Sequence, residues 1–307
     1  MRTPHPPPTD GRIARWRARP IGVGTARLYL IASAVLYSAS GVALKYIPWH
    51  PIVITGLRSL PAFLLLGLFA GGWKIRLNRT VVLGAIFDYG CLITFVVANQ
   101  LTLAANAVAL QNTAPIFVVL YMVLFRRFRP RPRNVLFLLV AFLGIILFFL
   151  EDLGPGHLLG YMMAILSGFF MAGMHIFITY TRQDPLHSMM LSHGISIVLG
   201  FVLIPFYPPV ITLPAVGSVL YMSVFAAFLG TLLHTKALRY SNAIDSSLIL
   251  MVEPLLNPIW VFLAVGEIPG PYALAGVLLV VFGVGGWCYF QDRWLAKQAG
   301  KNTDKAL

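Results

Sequence analysis

Arg58, Asp88, His175, His193, His234 and Glu253 each stand inside a stretch that is otherwise apolar. Groups of this kind hold charged ligands, bind ions or pass protons, and in hydrocarbon they are expensive. A charged side chain near the centre of a membrane span costs roughly 2.5 to 3.5 kcal/mol on insertion scales, which makes each of them a functional candidate. Glu253 has the most informative surroundings. It lies in IDSSLILMVEPLLNPIWVFLAVGEIPGP (244–271), beside Pro254 and ahead of Asn257 and Pro258. At helical spacing Ser246, Glu253, Asn257 and Trp260 share one face, and the prolines loosen the helix by removing backbone donors. A carboxyl that is neutral when sealed and charged when wet suits proton coupling. The other reading is a structural acceptor for backbone donors or for a side chain from the first half of the chain.

The remaining groups divide in the same way. Arg58 sits about 10 Å below the outer end of its span at 1.5 Å per residue. It either anchors a substrate carboxylate through its planar fork or braces a helix crossing. Asp88 shares a helical face with Gly84, Leu92, Phe95 and Asn99, where it pairs, relays protons or faces water. His175, His193 and His234 come from three different spans, which fits a proton relay better than a metal site, because no two are paired on one helix. Tyr37, with Ser33, Ser40 and Gly41, forms a small-residue face suited to close packing or to a cavity wall. Lys45 is expected to snorkel to the outer interface. HExxH, GxSxG and Walker motifs are absent from the sequence. Gly194-Ile195-Ser196 near His193 is a chance-level match to a membrane serine protease.

These groups need membrane helices to position them. The 307 residues are 58% hydrophobic and 11% charged, with a mean hydropathy of +0.81, a composition of polytopic membrane proteins. Continuous rather than alternating apolar runs exclude a barrel. They predict ten spans near 28–47, 51–71, 81–103, 107–125, 134–150, 158–180, 187–206, 215–237, 244–265 and 271–290. The formal charge of +13 could suggest nucleic acid, but its placement argues for a membrane surface. Of the 23 Lys and Arg, only Lys45 and Arg58 fall outside the tails and one alternate set of loops and span ends. By the positive-inside rule both termini are cytoplasmic, in a bacterial-type inner membrane whose lipid the basic loops contact. Cys91 and Cys288 both fall within spans, so neither a disulfide nor a metal site is expected.

A repeat underlies the spans. ANA at 105–107 resembles SNA at 241–243, and beyond the following proline an offset of 139 pairs Pro115 with Pro254, Pro130 with Pro269, Pro132 with Pro271 and Gly144 with Gly283. Five spans duplicated must lie in opposite orientations, because five is odd. The arginine-rich loop 126–133 and its counterpart 265–272, which carries Glu267 and no basic residue, agree with that inversion.

Several motifs now line up: HPIVITGLRSLPA with Arg58, NQLTLAANAVALQNTAPIFVVL with Gln111, Thr113 and Pro115, and Glu253-Pro254 followed by Trp260 and Gly266-Glu267. With the five-plus-five plan, region 28–290 resembles the EamA-type branch of the drug/metabolite transporter superfamily. FRRFRP departs from it, standing where the first half would carry a Gly-Glu-like turn. The resemblance implies an all-α membrane protein of ten helices in two inverted five-helix repeats (28–150 and 158–290), between cytoplasmic tails at 1–27 and 291–307. It also implies movement of small metabolites, frequently outward, with no cofactor.

The expectation is a secondary transporter working by alternating access, exporting an amino acid or similar amphipathic compound, with a proton as candidate coupling ion. A passive channel is the first alternative and a membrane-embedded enzyme the second. Reporter fusions after Lys74 and Arg133 should read cytoplasmic, and fusions near Asp152 and Pro209 external. An external 126–133 loop would sink both the span count and the inverted repeat.

Overall fold

The computed structural model describes residues 16, 19–70, 72–75, 77–126, 132–151, 155–181, 185–237, 240, 249, 252–266 and 268–303. Among them the regular structure is helical throughout. In chain order the helices are α1 (Val23–Ser38), α2 (Ser40–Lys45), α3 (Pro51–Ala70), α4 (Arg79–Leu101), α5 (Ala104–Gln111), α6 (Ala114–Arg126) and α7 (Pro132–Glu151). They continue as α8 (Pro155–Thr181), α9 (Pro185–Leu203), α10 (Leu213–Leu220), a π-helix at Tyr221–Gly230, α11 (Thr231–Ala237), α12 (Val252–Val265) and α13 (Pro271–Thr303).

Local sequence explains the starts. Proline opens α3, α7, α8, α9 and α13, a position where its missing N–H breaks no bond and its fixed φ is already helical. Asn78 caps α4 by accepting from Val81 N at 2.8 Å, and Thr212 caps α10 by accepting from Ala215 N at 3.3 Å. Gly266, at φ 71°, ends α12 in the left-handed conformation that glycine adopts without penalty.

Among the described residues, seven helical stretches are long and apolar enough to cross a membrane: 23–45, 51–70, 79–101, 104–121, 157–174, 186–203 and 213–237. Val135–Leu147, Val252–Val265 and Pro271–Trp287 are shorter apolar helices. Each of the ten expected segments overlaps a described helix, but α12 is described only from Val252 and α13 runs on to Thr303, past the expected end at 290. Most of 244–251 and the loop residues 127–131 lie outside the described residues.

The most extensive pairings join the two halves: α7 with α13, α4 with α8, and α3 with α9. Two of these crossings are self-complementary. A methyl group added at Gly56 would meet Gly200 Cα at 2.6 Å and Ser196 O at 2.9 Å. One added at Gly200 would meet Gly56 Cα at 2.6 Å and Ile52 O at 3.2 Å. Ile52 is to Gly56 as Ser196 is to Gly200, so each helix presents the same patch to the other. At the α7–α13 crossing, Gly144 abuts Gly276 O and Val280 N, while Gly283 abuts Phe137 O and Ala141 N. Those partners obey the same 139-residue offset that pairs the two glycines. Reciprocal contact of this kind is what a two-fold relation between halves produces, and glycine permits it by letting backbones touch.

The buried apolar residues are distributed unevenly along the bundle. At the end opposite the termini, Leu44, Ile47, Ile54, Phe95, Val96, Val108, Tyr161, Val219 and Val277 belong to one core drawn from both halves. Toward the end bearing the termini they fall into two smaller groups, around Leu66, Met190 and Phe228 and around Ala26, Leu30 and Ala237. The bundle is closed at one end and divided at the other. At the divided end Lys236, almost fully buried, donates to Trp16 O at 2.6 Å and lies 3.9 Å from the Trp16 ring centroid.

Replacing Gly283 or Gly56 by leucine should lower stability by about 1–3 kcal/mol or more, since neighbouring backbone cannot yield as a side chain can. Gly24 and Gly217 have nothing within 4 Å of an added Cβ, so alanine there should be near neutral. Thermal unfolding of the purified protein in detergent separates the two classes.

Candidate functional site

Breaks in three spans create the site. Between α1 and α2 the helix is interrupted at Ala39, and the carbonyl of Ser38 accepts from Asn257 Nδ2 at 2.6 Å. Trp260 Nε1 donates to Ser38 Oγ at 3.0 Å, so the polar face of α12 grips that break from the opposite half. Gly41 lets it come close, because a Cβ there would meet Asn257 Nδ2 at 2.6 Å. Between α5 and α6, Pro115 has no N–H for the carbonyl four residues earlier. Asn112 Nδ2 and Thr113 Oγ1 turn back onto Val108 O (2.9 Å) and Leu110 O (2.6 Å) and hold that break. The third irregularity is the π-helix, from which Ser223 Oγ donates to Arg58 O at 2.6 Å and Tyr221 OH to Leu36 O at 2.8 Å. Wide turns of this type are frequent at functional sites.

The charged side chains converge among these irregularities. Arg58 on α3 lies within electrostatic range of Asp88 on α4, and its Nε is buried without a hydrogen-bond partner. Ser192 on α9 faces Asp88, although its Oγ makes no hydrogen bond of good geometry. The next residue, His193, pairs through Nδ1 with Ser59 Oγ at 3.0 Å, beside Arg58. Tyr37 OH donates to Thr231 Oγ1 at 3.1 Å and meets His234 edge-on at 6.1 Å between ring centroids. Tyr37 also lies within range of both Glu253 and Asp88, so it stands between the two carboxyls. Glu253 and Pro254 occupy the first turn of α12, where the backbone N–H groups favour a carboxylate. Arg58, Asp88, Tyr37 and Glu253 are all half-buried.

A polar network extends the site toward α8. Gln111 Nε2 donates to Ser167 Oγ at 2.7 Å, and Ser167 Oγ donates to Cys91 O at 3.0 Å. Cys91 is within range of Arg58 and Asp88.

The structure therefore brings together Tyr37, Arg58, Asp88, His193, His234 and Glu253, with Gln111 beside them. Asn257 and Trp260 are committed to Ser38. Asn99 lies elsewhere, fully buried near the closed end with neither amide atom partnered. The side chain of His175 is outside the described residues. Lys45 Nζ donates to Thr102 O, at the end of α4, at 2.9 Å. The protease-like match dissolves. Ser196 Oγ donates to Ser192 O, one turn back on its own helix, while His193 faces Ser59. Ser59, Ser192, Ser223 and Thr231 went unremarked in the sequence. The available signal was adjacency, since Ser59 follows Arg58 and Ser192 precedes His193.

The EamA-like transporter family model matches residues 24–150 and 158–286, two copies covering most of the chain. The chain belongs to the EamA-like transporter family. It is thus a multi-pass membrane protein of a family of small-compound transporters, and the two matched copies are the two halves described above. Among solved structures, one described only as "Crystal structure of protein" superposes with a TM-score of 0.60. It is 18% identical and covers 88% of this chain and 97% of its own, a shared fold over nearly the whole EamA region. The search of curated proteins returned no match.

Asn257→Leu should remove the donor to Ser38 O and leave that carbonyl buried and unpaired, at a cost of about 1–3 kcal/mol. Ser38→Ala keeps the carbonyl bond and loses the Oγ bonds to Trp260 Nε1 and Val35 O, neither of which leaves a carbonyl without its helical partner, so it should cost less. Unfolding midpoints of the two variants test that order.

Proposed function

We propose that this protein is a secondary transporter that exports an amino acid or a similar small zwitterion by alternating access. The observation that carries the reading is the convergence of Arg58, Asp88 and Glu253, from three helices of both halves, around Tyr37. A guanidinium binds carboxylate in a bidentate fork, and carboxylates accept from an ammonium, so the set is complementary to a zwitterion. In the proposed arrangement ten helices form two inverted five-helix halves, both termini are cytoplasmic, and the membrane is a bacterial-type inner membrane. The divided end then faces the cytoplasm, so the conformation described is the one that loads an exported substrate. The reciprocal glycine crossings supply places about which the halves rock.

Proton coupling is assigned to Glu253. It opens a helix interrupted by two prolines and lies within range of Tyr37 on the facing half, so a change of charge would bias one packing against the other. A passive facilitator is the second reading, favoured by the absence of any acidic counterpart to Glu267 in the first half. It predicts flux with no dependence on a pH difference.

Purified protein in proteoliposomes, screened against the amino acids with and without a pH gradient, decides between the two. Glu253→Gln keeps shape and hydrogen bonding while removing titration. It should leave substrate exchange intact and abolish accumulation driven by a pH difference, and continued uphill accumulation would remove Glu253 from the coupling role. Arg58→Lys keeps the charge and loses the fork, so the folded variant should transport poorly. Normal transport by this variant, or simple failure to accumulate in the membrane, would withdraw support for carboxylate anchoring.

A further inference from the structure

Partnerless polar atoms are concentrated at the junction of α4 and α5, away from the central charges. Asn99 Nδ2 and Oδ1, Thr102 Oγ1 and Asn106 Oδ1 all lack a hydrogen bond. Their residues are 0%, 4% and 1% exposed, so lipid or bulk water does not satisfy them. They are close together in the chain. Thr102 stands three residues beyond Asn99, as the extended residue that ends α4. Thr102 lies under Gly160, and Asn106 Nδ2 bonds the hydroxyl of the adjacent Tyr161 at 3.4 Å. Lys45 brings a positive charge to the same place, with its Nζ 2.9 Å from Thr102 O. A cluster built only for stability would pair these atoms, because each one left open keeps the full cost of its lost hydration.

Position gives the cluster a purpose. Asn99 shares a face of α4 with Asp88, Leu92 and Phe95, roughly 16 Å further along at 1.5 Å per residue. Phe95, 8% exposed, stands between the two polar positions within the core that closes this end. The face leads from the central charges, past an aromatic plug, to the unpartnered amides.

We propose that Asn99, Thr102 and Asn106, with Lys45, form a second binding station for the backbone of a free α-amino acid, between the central cavity and the closed end. Asn99 Nδ2 and Thr102 Oγ1 donate to the carboxylate in the field of the Lys45 ammonium, and Asn99 Oδ1 and Asn106 Oδ1 accept from the ammonium of the ligand. The side chain of the amino acid takes no part. The station deepens the transport reading and rests on it for the ligand. Phe95 covers it in the conformation described, and it is reached when this end opens.

The test uses Leu103→Cys in a full-length Cys91→Ser, Cys288→Ser background, with Leu101→Cys as a second reporter should the first not accumulate; both flank Thr102 and leave the proposed ligand groups in place. A membrane-impermeant methanethiosulfonate is applied to spheroplasts and to inverted vesicles, alone and with each amino acid other than cysteine, whose thiol consumes the reagent. Modification is expected, with at least one amino acid at ten times its dissociation constant slowing it about tenfold. The matching decarboxylated amine and deaminated acid should not protect. Asn99→Leu in the same background should abolish protection while leaving modification. No modification in either preparation overturns the proposal, and so does modification that no amino acid slows. Protection without flux in proteoliposomes would keep the station and sink the transporter reading, whereas flux without protection would sink the station alone.

Discussion

Hydrocarbon offers no hydrogen bonds, so a carbonyl freed inside a membrane helix has to find a partner in the protein. Much of this molecule follows from that rule. The interruption at Ala39 opens room beside Tyr37, and the carbonyl it exposes is taken by Asn257 from the other half. The interruption before Pro115 is closed by the side chains of Asn112 and Thr113 on their own helix. Ser223 of the π-helix donates to the carbonyl of Arg58, on the helix that carries Pro61. At each irregular turn a side chain takes up a nearby carbonyl. The repairs decide which helices must lie together around the charged residues.

The repairs differ in what they permit. Asn112 and Thr113 act within one segment and leave it free to move as a unit. Asn257 and Ser223 bond across the two halves, so any rocking that separates α1 from α12, or α3 from the π-helix, must break or exchange them. A net cost of about 1 kcal/mol per neutral hydrogen bond is small enough for thermal motion and for substrate binding to supply. Backbone contacts at glycine behave differently. They lose dispersion energy as soon as the surfaces part, which favours rotation in place over separation.

How much of this was legible beforehand depends on the kind of signal. Helix positions followed from runs of apolar residues, because the bilayer imposes length and composition together. Gly144 and Gly283 were visible as a pair, since they fall in register with three prolines. The Gly56–Gly200 pair was not, because an offset of 144 rather than 139 relates those helices. The convergence of Arg58, Asp88 and Glu253 was half visible: cost identified each residue, but nothing local said that they meet. The π-helix left no trace, since Tyr221–Gly230 is as apolar as its neighbours and differs only in backbone winding.

The reciprocal glycine crossings carry an implication for ancestry. A patch that fits its own copy would serve equally between two separate chains, so a five-helix ancestor could pair with itself through the same surfaces. In the proposed orientation those two copies would have to insert in opposite directions, which requires a chain with nearly balanced basic loops. The five arginines at 126–133, facing a counterpart loop with none, remove that balance. Fusion freed each half to lose its symmetry everywhere except where the backbones touch. Gly56 and Gly200 therefore descend from one position, and a change at either has to be tolerated by the other.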